Sequence, residues 1–127
     1  MAYELAHLDL TFEAGSDLTS GRFKVVALAS DGQVDLSETA GEASIGVLQD
    51  DALSSAAGTA VTVRVAGVSK VYAGGTVAAG DAVAVHTTDG TVETAGSGDY
   101  PIGIALDGND AGELISVLII PTLTPRA

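Results

Sequence analysis

The chain carries one β-type unit twice, and this duplication restricts its fold more than any other feature. The clearer copy starts at Tyr72 and passes Gly74, Gly75, Gly80 and Asp81 into the apolar run Ala82-Val83-Ala84-Val85. It continues through Asp89-Gly90 to Ile102-Gly103-Ile104-Ala105-Leu106. The other starts at Phe12 and passes Gly15 and Gly21 into residues 23–28, then Asp31-Gly32, then Ile45-Gly46-Val47-Leu48. Gly15, Leu18 and Gly21 match Gly74, Val77 and Gly80 at an offset of 59; Asp31-Gly32 matches Asp89-Gly90 at 58, and Ile45-Gly46 matches Ile102-Gly103 at 57. Asp-Gly supplies the positive φ values of a tight hairpin, and a glycine inside a strand permits close approach of another backbone. Neither unit is long enough to bury its own face, so the copies are expected to pair about a pseudo-two-fold axis.

Abundant Gly with Val, Ala and Thr in the apolar runs favours short strands and tight turns over helices. The expected fold is therefore mainly β, a compact β-barrel or β-sandwich built from two pseudo-repeated strand–hairpin–strand units. One or two helical turns are expected over residues 50–57, ended by Gly58. Residues 1–11 stand outside both copies, as an N-terminal arm or as an ordinary first strand of the same sheet, and residues 12–121 form one β domain. Its first repeat spans 12–66 and its second 72–120, and 122–127 form a C-terminal tail. Val61, Val63 and Val65 alternate with Ala60, Thr62 and Arg64, as in a half-buried strand. Ala66-Gly67 is then expected to turn the chain before a short strand at 68–72. Much of the 46% hydrophobic fraction is Ala, so the core is thin, and small β domains of this kind are often completed by oligomerisation.

The formal net charge is −12, which opposes binding to phosphate backbones and excludes a nucleic-acid partner. No apolar run reaches the length of a membrane span; the longest covers residues 114–120. No basic-then-apolar leader opens the chain. The charge is unevenly spread. Arg22, Lys24, Arg64 and Lys70 lie in the first 70 residues, and seven acids but no Lys or Arg lie between Lys70 and Arg126. The more basic half is the side expected to face a partner, and the acidic half the side expected to face water.

Catalytic chemistry finds no support. There is no Cys, and the two histidines, His7 and His86, are far apart in sequence. No nucleophile elbow or zinc-binding His-Glu-x-x-His occurs. The acidic stretches at Asp50-Asp51 and 107–113 lack the ligand order of a calcium loop and read as turns. The glycine-rich stretch 74–80 lacks the Lys-Ser/Thr that grips phosphate. The expectation is no enzyme, no cofactor and no metal.

The run Val77-Ala-Ala-Gly-Asp-Ala-Val-Ala-Val85, followed by Asp89-Gly90 and Pro101-Ile-Gly-Ile-Ala-Leu106, resembles small bacteriophage capsid decoration, or cement, proteins. The first copy, residues 25–48 followed by 59–68, is similar to the core of lambda-type head decoration proteins. The resemblance implies a structural virion protein, made in the host cytoplasm, that binds the outer capsid surface and stabilises the mature lattice. It implies the major capsid protein as partner, and self-association as a homotrimer. By position, Tyr3, Leu5, Leu8 and Leu10 of the arm and Arg22, Lys24 and Arg64 of the basic half are the candidate contacts with capsid or subunits. Alternatives are another virion component, such as a head fibre base or tail module, or a small ligand-binding barrel.

Overall fold

A computed structural model describes residues 5–50, 56–86 and 89–126, with residues 5–7 described by backbone alone. No described residue is helical. Nine strands follow in order: β1 (Leu5–Ala14), β2 (Val25–Leu28), β3 (Gln33–Leu36), β4 (Gly46–Leu48), β5 (Ala60–Tyr72), β6 (Ala82–Val85), β7 (Val92–Thr94), β8 (Gly103–Ala105) and β9 (Leu114–Ile119). The mainly β expectation holds. The helical turns expected over 50–57 fall chiefly on residues 51–55, outside the described residues.

The duplication is visible in the strand registers. In unit one Val26 pairs with Gly46 and Val25 with Val47; in unit two Val83 pairs with Gly103 and Ala82 with Ile104, each shifted by 57. The hairpins β2–β3 and β6–β7 correspond, as do β4–β5 and β8–β9. Asp50 accepts the Thr62 N–H at 2.6 Å, and Asp107 accepts the Ser116 N–H at 2.8 Å. In each unit this carboxylate ties the segment after the Ile-Gly strand to the strand that follows.

Pairing also assigns β1. It lies antiparallel to β5, with Phe12 opposite Val61, as Val71 of β5 lies opposite Ile115 of β9. Its end meets β3 through Ala14 and Val34, as Ala73 meets Val92. From Leu5 onward, then, the residues expected as an arm form the first strand of unit one. Residues 1–4 lie outside the described residues.

Strand β5 corrects a further expectation, because Ala66-Gly67 does not turn. Ala66 and Gly67 pair with Leu8 and Ala6 of β1, and Gly67 also pairs with Ile119 of β9. Backbone partners hold the chain in strand form there, and Gly67 absorbs a local change of handedness at φ 104°. The first half of β5 closes unit one and the second half opens unit two.

Positive φ values recur in matched places: Gly32 with Gly90, Gly41 with Gly98, and Gly58 with Gly112. The fourth pair is Phe23 (64°) with Gly80 (90°). Its hydrogen bonds establish the equivalence: Phe23 N–H donates to Leu48 O and Leu48 N–H to Lys24 O, while Gly80 N–H donates to Ala105 O and Ala105 N–H to Asp81 O. The sequence match of Gly21 to Gly80 is therefore two residues out of step. Matching glycine to glycine fails where one copy fills a left-handed position with Phe.

Two cores result. One gathers Leu18, Val26, Val34, Leu48, Val61 and Val63 inside unit one. The other gathers Val71, Val83, Val92, Ile102, Ile115 and Val117 inside unit two, together with Val25 and Val47. Val25 and Val47 sit on the face of their strands opposite Val26 and Leu48, so the outer face of unit one packs onto unit two. Their equivalents are Ala82, half-buried, and Ile104, 40% exposed. The contact is not reciprocal, which replaces the expected two-fold pairing with a head-to-tail arrangement.

Gly46 and Gly103 set the strand spacing in both units. A methyl group on Gly46 would collide with the Arg64 carbonyl oxygen, and one on Gly103 with that of Leu118. Gly46→Ala and Gly103→Ala are each expected to destabilise the fold by about 2–3 kcal/mol in urea denaturation, because main chain cannot yield as a side chain does. Gly32→Ala meets open space and is expected to cost about 1 kcal/mol from its positive φ alone.

Candidate interaction surfaces

Among the described residues no three His, Cys, Asp or Glu side chains gather as metal ligands. His86 faces Glu93, with Nε2 3.6 Å from the carboxylate, and its backbone N–H donates to Thr91 O. It serves the rim of the β6–β7 hairpin.

The candidate contacts separate into three settings. Tyr3 lies outside the described residues, and Leu5 is placed only by its backbone pairing with Val68. Leu8 and Leu10 project from β1 with 46% and 41% exposure. Leu10 opens onto a groove of about 380 Å³, whose apolar lining includes Phe12, Leu28, Ile45, Val65 and Leu123 and which no ionisable side chain among the described residues lines. Beyond Thr122 a second groove, about 270 Å³, carries Ala82, Ile104 and Ile120. Together they expose a broad apolar face, and such faces mark contact with another macromolecule.

Arg22 and Lys24 flank Phe23. The Arg22 Cζ lies 4.6 Å from the ring centroid and the Lys70 Nζ 5.7 Å, both within cation–π range. Arg22 is exposed and Lys24 half-buried. This corner joins the units: Tyr72 N–H donates to Phe23 O, and Val25 N–H to Gly90 O. Lys24 approaches Asp89, whose carboxyl is held below its ordinary value of 3.8, chiefly by the Thr91 hydroxyl and then by the Thr91 N–H, Lys24 and His86 against some desolvation. Asp81 is lowered likewise by the Ala78 N–H and the Thr94 hydroxyl.

Arg64 is not part of this corner. It lies opposite Asp9 across β1 and β5 and is 8% exposed. Its Nε donates to Asp9 Oδ1 at 2.9 Å, a terminal nitrogen donates to Asp9 Oδ2 at 3.2 Å, and the other donates to Val68 O at 3.1 Å. The guanidinium therefore clamps strands. Its alternation with Val63 and Val65 puts it on the outer face, but its partner is 55 residues away. Sequence reasoning also missed Phe23, Leu28, Ile104 and Leu123. Leu28 and Ile104 sit in apolar runs that read as buried, and only the strand faces reveal which members point outward.

A family profile described as phage cement protein matches residues 4–120. The chain belongs to the phage cement protein family. This cement protein is a structural virion component that binds the outer surface of the phage capsid. The crystal structure of the head fiber gp8.5 N base of bacteriophage phi29 is similar to it, with TM-score 0.69 and 20% identity, covering 92% of this chain and 98% of that one. At that identity the likeness is one of fold. No curated protein matches the sequence significantly.

Two predictions concern the charges that hold this cement protein together. Asp9→Ala leaves the Arg64 guanidinium poorly solvated and is expected to cost about 2 kcal/mol in urea denaturation. The double replacement Asp9→Leu with Arg64→Met removes both charges and is expected to recover most of that; equal losses would show that the pair does not act as a unit. For Asp89 the folded pKa is lowered, so its contribution is present above the ordinary value of 3.8 and is lost as pH falls through the folded value. Asp89→Asn should therefore flatten the loss of thermal stability below about pH 4 while changing little in that slope near neutrality.

Proposed function

We propose that this cement protein is non-catalytic, that its partner on the shell is the major capsid protein, and that it acts as a homotrimer. The carrying observation is the open outer face of unit two. The same face in unit one is buried within the chain through Val25 and Val47, whereas Ala82 and Ile104 have no described cover of that kind. Two grooves that share Thr122 expose Ile104 and Ile120 in one, with Arg126 at its margin, and Leu10, Leu28 and Leu123 in the other, on a chain of net charge −12. A second copy is the occupant that this surface fits, because like-charged subunits associate best where neither presents a charge. Burial of an exposed Ile or Leu contributes about 1.5–3 kcal/mol. Leu8 and Leu10 form the part of this surface that reaches a neighbour.

Binding energy available only on the expanded lattice stabilises that lattice by mass action. In sedimentation equilibrium the wild-type chain is expected to run as a trimer and Ile104→Asp as a monomer with unchanged circular dichroism. Expanded shells carrying the wild-type protein should withstand heating by several degrees more than bare shells. A trimer that survives Ile104→Asp would remove this face from the interface, and shells that gain no stability would overturn the cementing role. The fold match to a head fiber base favours a second reading, in which the domain seats a fibre on the capsid. Image reconstruction of the particle distinguishes them, since a fibre base carries projecting density and a cement subunit lies flat across capsomer boundaries.

A further inference from the structure

At three of the four matched positive-φ sites both units use glycine; at the fourth, unit two has Gly80 and unit one has Phe23. Glycine takes that conformation without penalty, and a bulky aromatic side chain is strained there. Such strain persists where the surroundings impose it and clusters at binding sites. The Phe23 backbone is held from both sides, by the Leu48 carbonyl and the Tyr72 N–H. What the aromatic residue adds over glycine is its ring, and cations stand over it: Arg22 at 4.6 Å and Lys70 at 5.7 Å. The neighbouring position reinforces the contrast, because Lys24 of unit one corresponds to Asp81 of unit two.

The distribution of charge points the same way. The chain has five basic residues. Arg64 is committed to Asp9, and Arg126 lies near Asp81. Arg22 and Lys70 stand over the Phe23 ring, and Lys24 follows Phe23 in the chain. Asp89 offsets Lys24 in part, so the exposed Arg22 is the chief cation presented outward. An open groove of about 360 Å³ adjoins the corner, lined in part by Ser20, Lys24, Tyr72 and Thr91.

We infer that the corner built by Arg22, Phe23, Lys24 and Lys70 is the site at which this protein grips a carboxylate-bearing segment of the capsid shell. The inference rests on the capsid-binding reading above and adds the anchor and the chemistry of its target. A guanidinium presents a planar fork that meets a carboxylate with two parallel hydrogen bonds. Held over the Phe23 ring, Arg22 loses less side-chain freedom on binding than a free surface arginine does. The groove offers hydroxyl groups to the polar backbone of the bound segment. Everywhere else a chain of net charge −12 repels an acidic surface, so this corner also sets the orientation in which the subunit lands.

Co-sedimentation with genome-free expanded shells of the phage that encodes the protein tests this. Arg22→Glu is expected to weaken binding by about tenfold or more, and the pair Ala57→Glu with Ser97→Glu, the same total charge change at exposed positions outside the corner, by less than about threefold. Raising NaCl from about 50 to about 500 mM should weaken the wild type more than Arg22→Glu, since screening acts on the contact the variant has lost. Phe23→Gly installs the residue of unit two and is expected to reduce affinity with the β-type circular dichroism retained; should that variant unfold, Arg22→Glu still decides. Wild-type affinity in Arg22→Glu, beside a wild-type chain that binds, would overturn the corner and leave the cementing role standing. A wild-type chain that binds no shells would overturn the capsid-binding reading and this inference with it.

Discussion

Strand β5 is the element on which both units depend. Its first half pairs with β1 and β4, and its second half with β9. Each unit is a circuit of strand pairings, and each circuit is completed by a piece of the same continuous strand. A sheet edge left open costs unsatisfied backbone groups or invites pairing with another chain. Sharing one strand closes two edges at once. Two residues, Gly67 and Val68, then serve both circuits, and Gly67 does so at φ 104°. The close approach at Gly46 and Gly103 then fixes how tightly β4 and β8 lie against their neighbours.

Equivalent architecture does not give equivalent surfaces. Val25 and Val47 leave unit one and enter the core of unit two, while Ala82 and Ile104 face outward. Head-to-tail stacking has this consequence whatever the sequence, because one end of the stack is always left uncovered. Duplication thus explains both the internal stability of the chain and its exposed apolar face. The cores are built largely from Val and Ala, so any further burial of that face would be a considerable addition to a modest total.

Much of this was legible in the residues. Asp31-Gly32 and Asp89-Gly90 marked hairpins because their backbone geometry demands particular residues. The Ile-Gly strands and the alternation from Val61 to Val65 were readable for the same local reason. What failed was non-local. Ala66-Gly67 has the composition of a turn, yet pairing with β1 and β9 keeps it within a strand. Gly21 matches Gly80 in the sequence because glycine usually marks a left-handed position, whereas Phe23 holds that backbone conformation. Arg64 had the outward phase of its strand, but register alone reveals Asp9 as its partner. The alternation of a strand states which residues share a face; it does not state what stands opposite that face.

Charge gives these surfaces their division of labour. Each copy of this cement protein brings a formal charge of −12 to the shell. Screening at physiological salt limits the repulsion to about 8 Å, so distant copies hardly interact and adjacent ones must meet where charge is absent. The grooves bearing Leu10, Leu28 and Ile104 meet that condition almost completely, with Arg126 at their margin. The net charge outside them keeps unassembled subunits soluble and discourages every other association. On this reading the few basic residues have a larger effect than their number suggests. Placed at one corner, they make a single orientation favourable against an acidic surface. Scattered, they would only have reduced the repulsion that keeps the free protein dispersed.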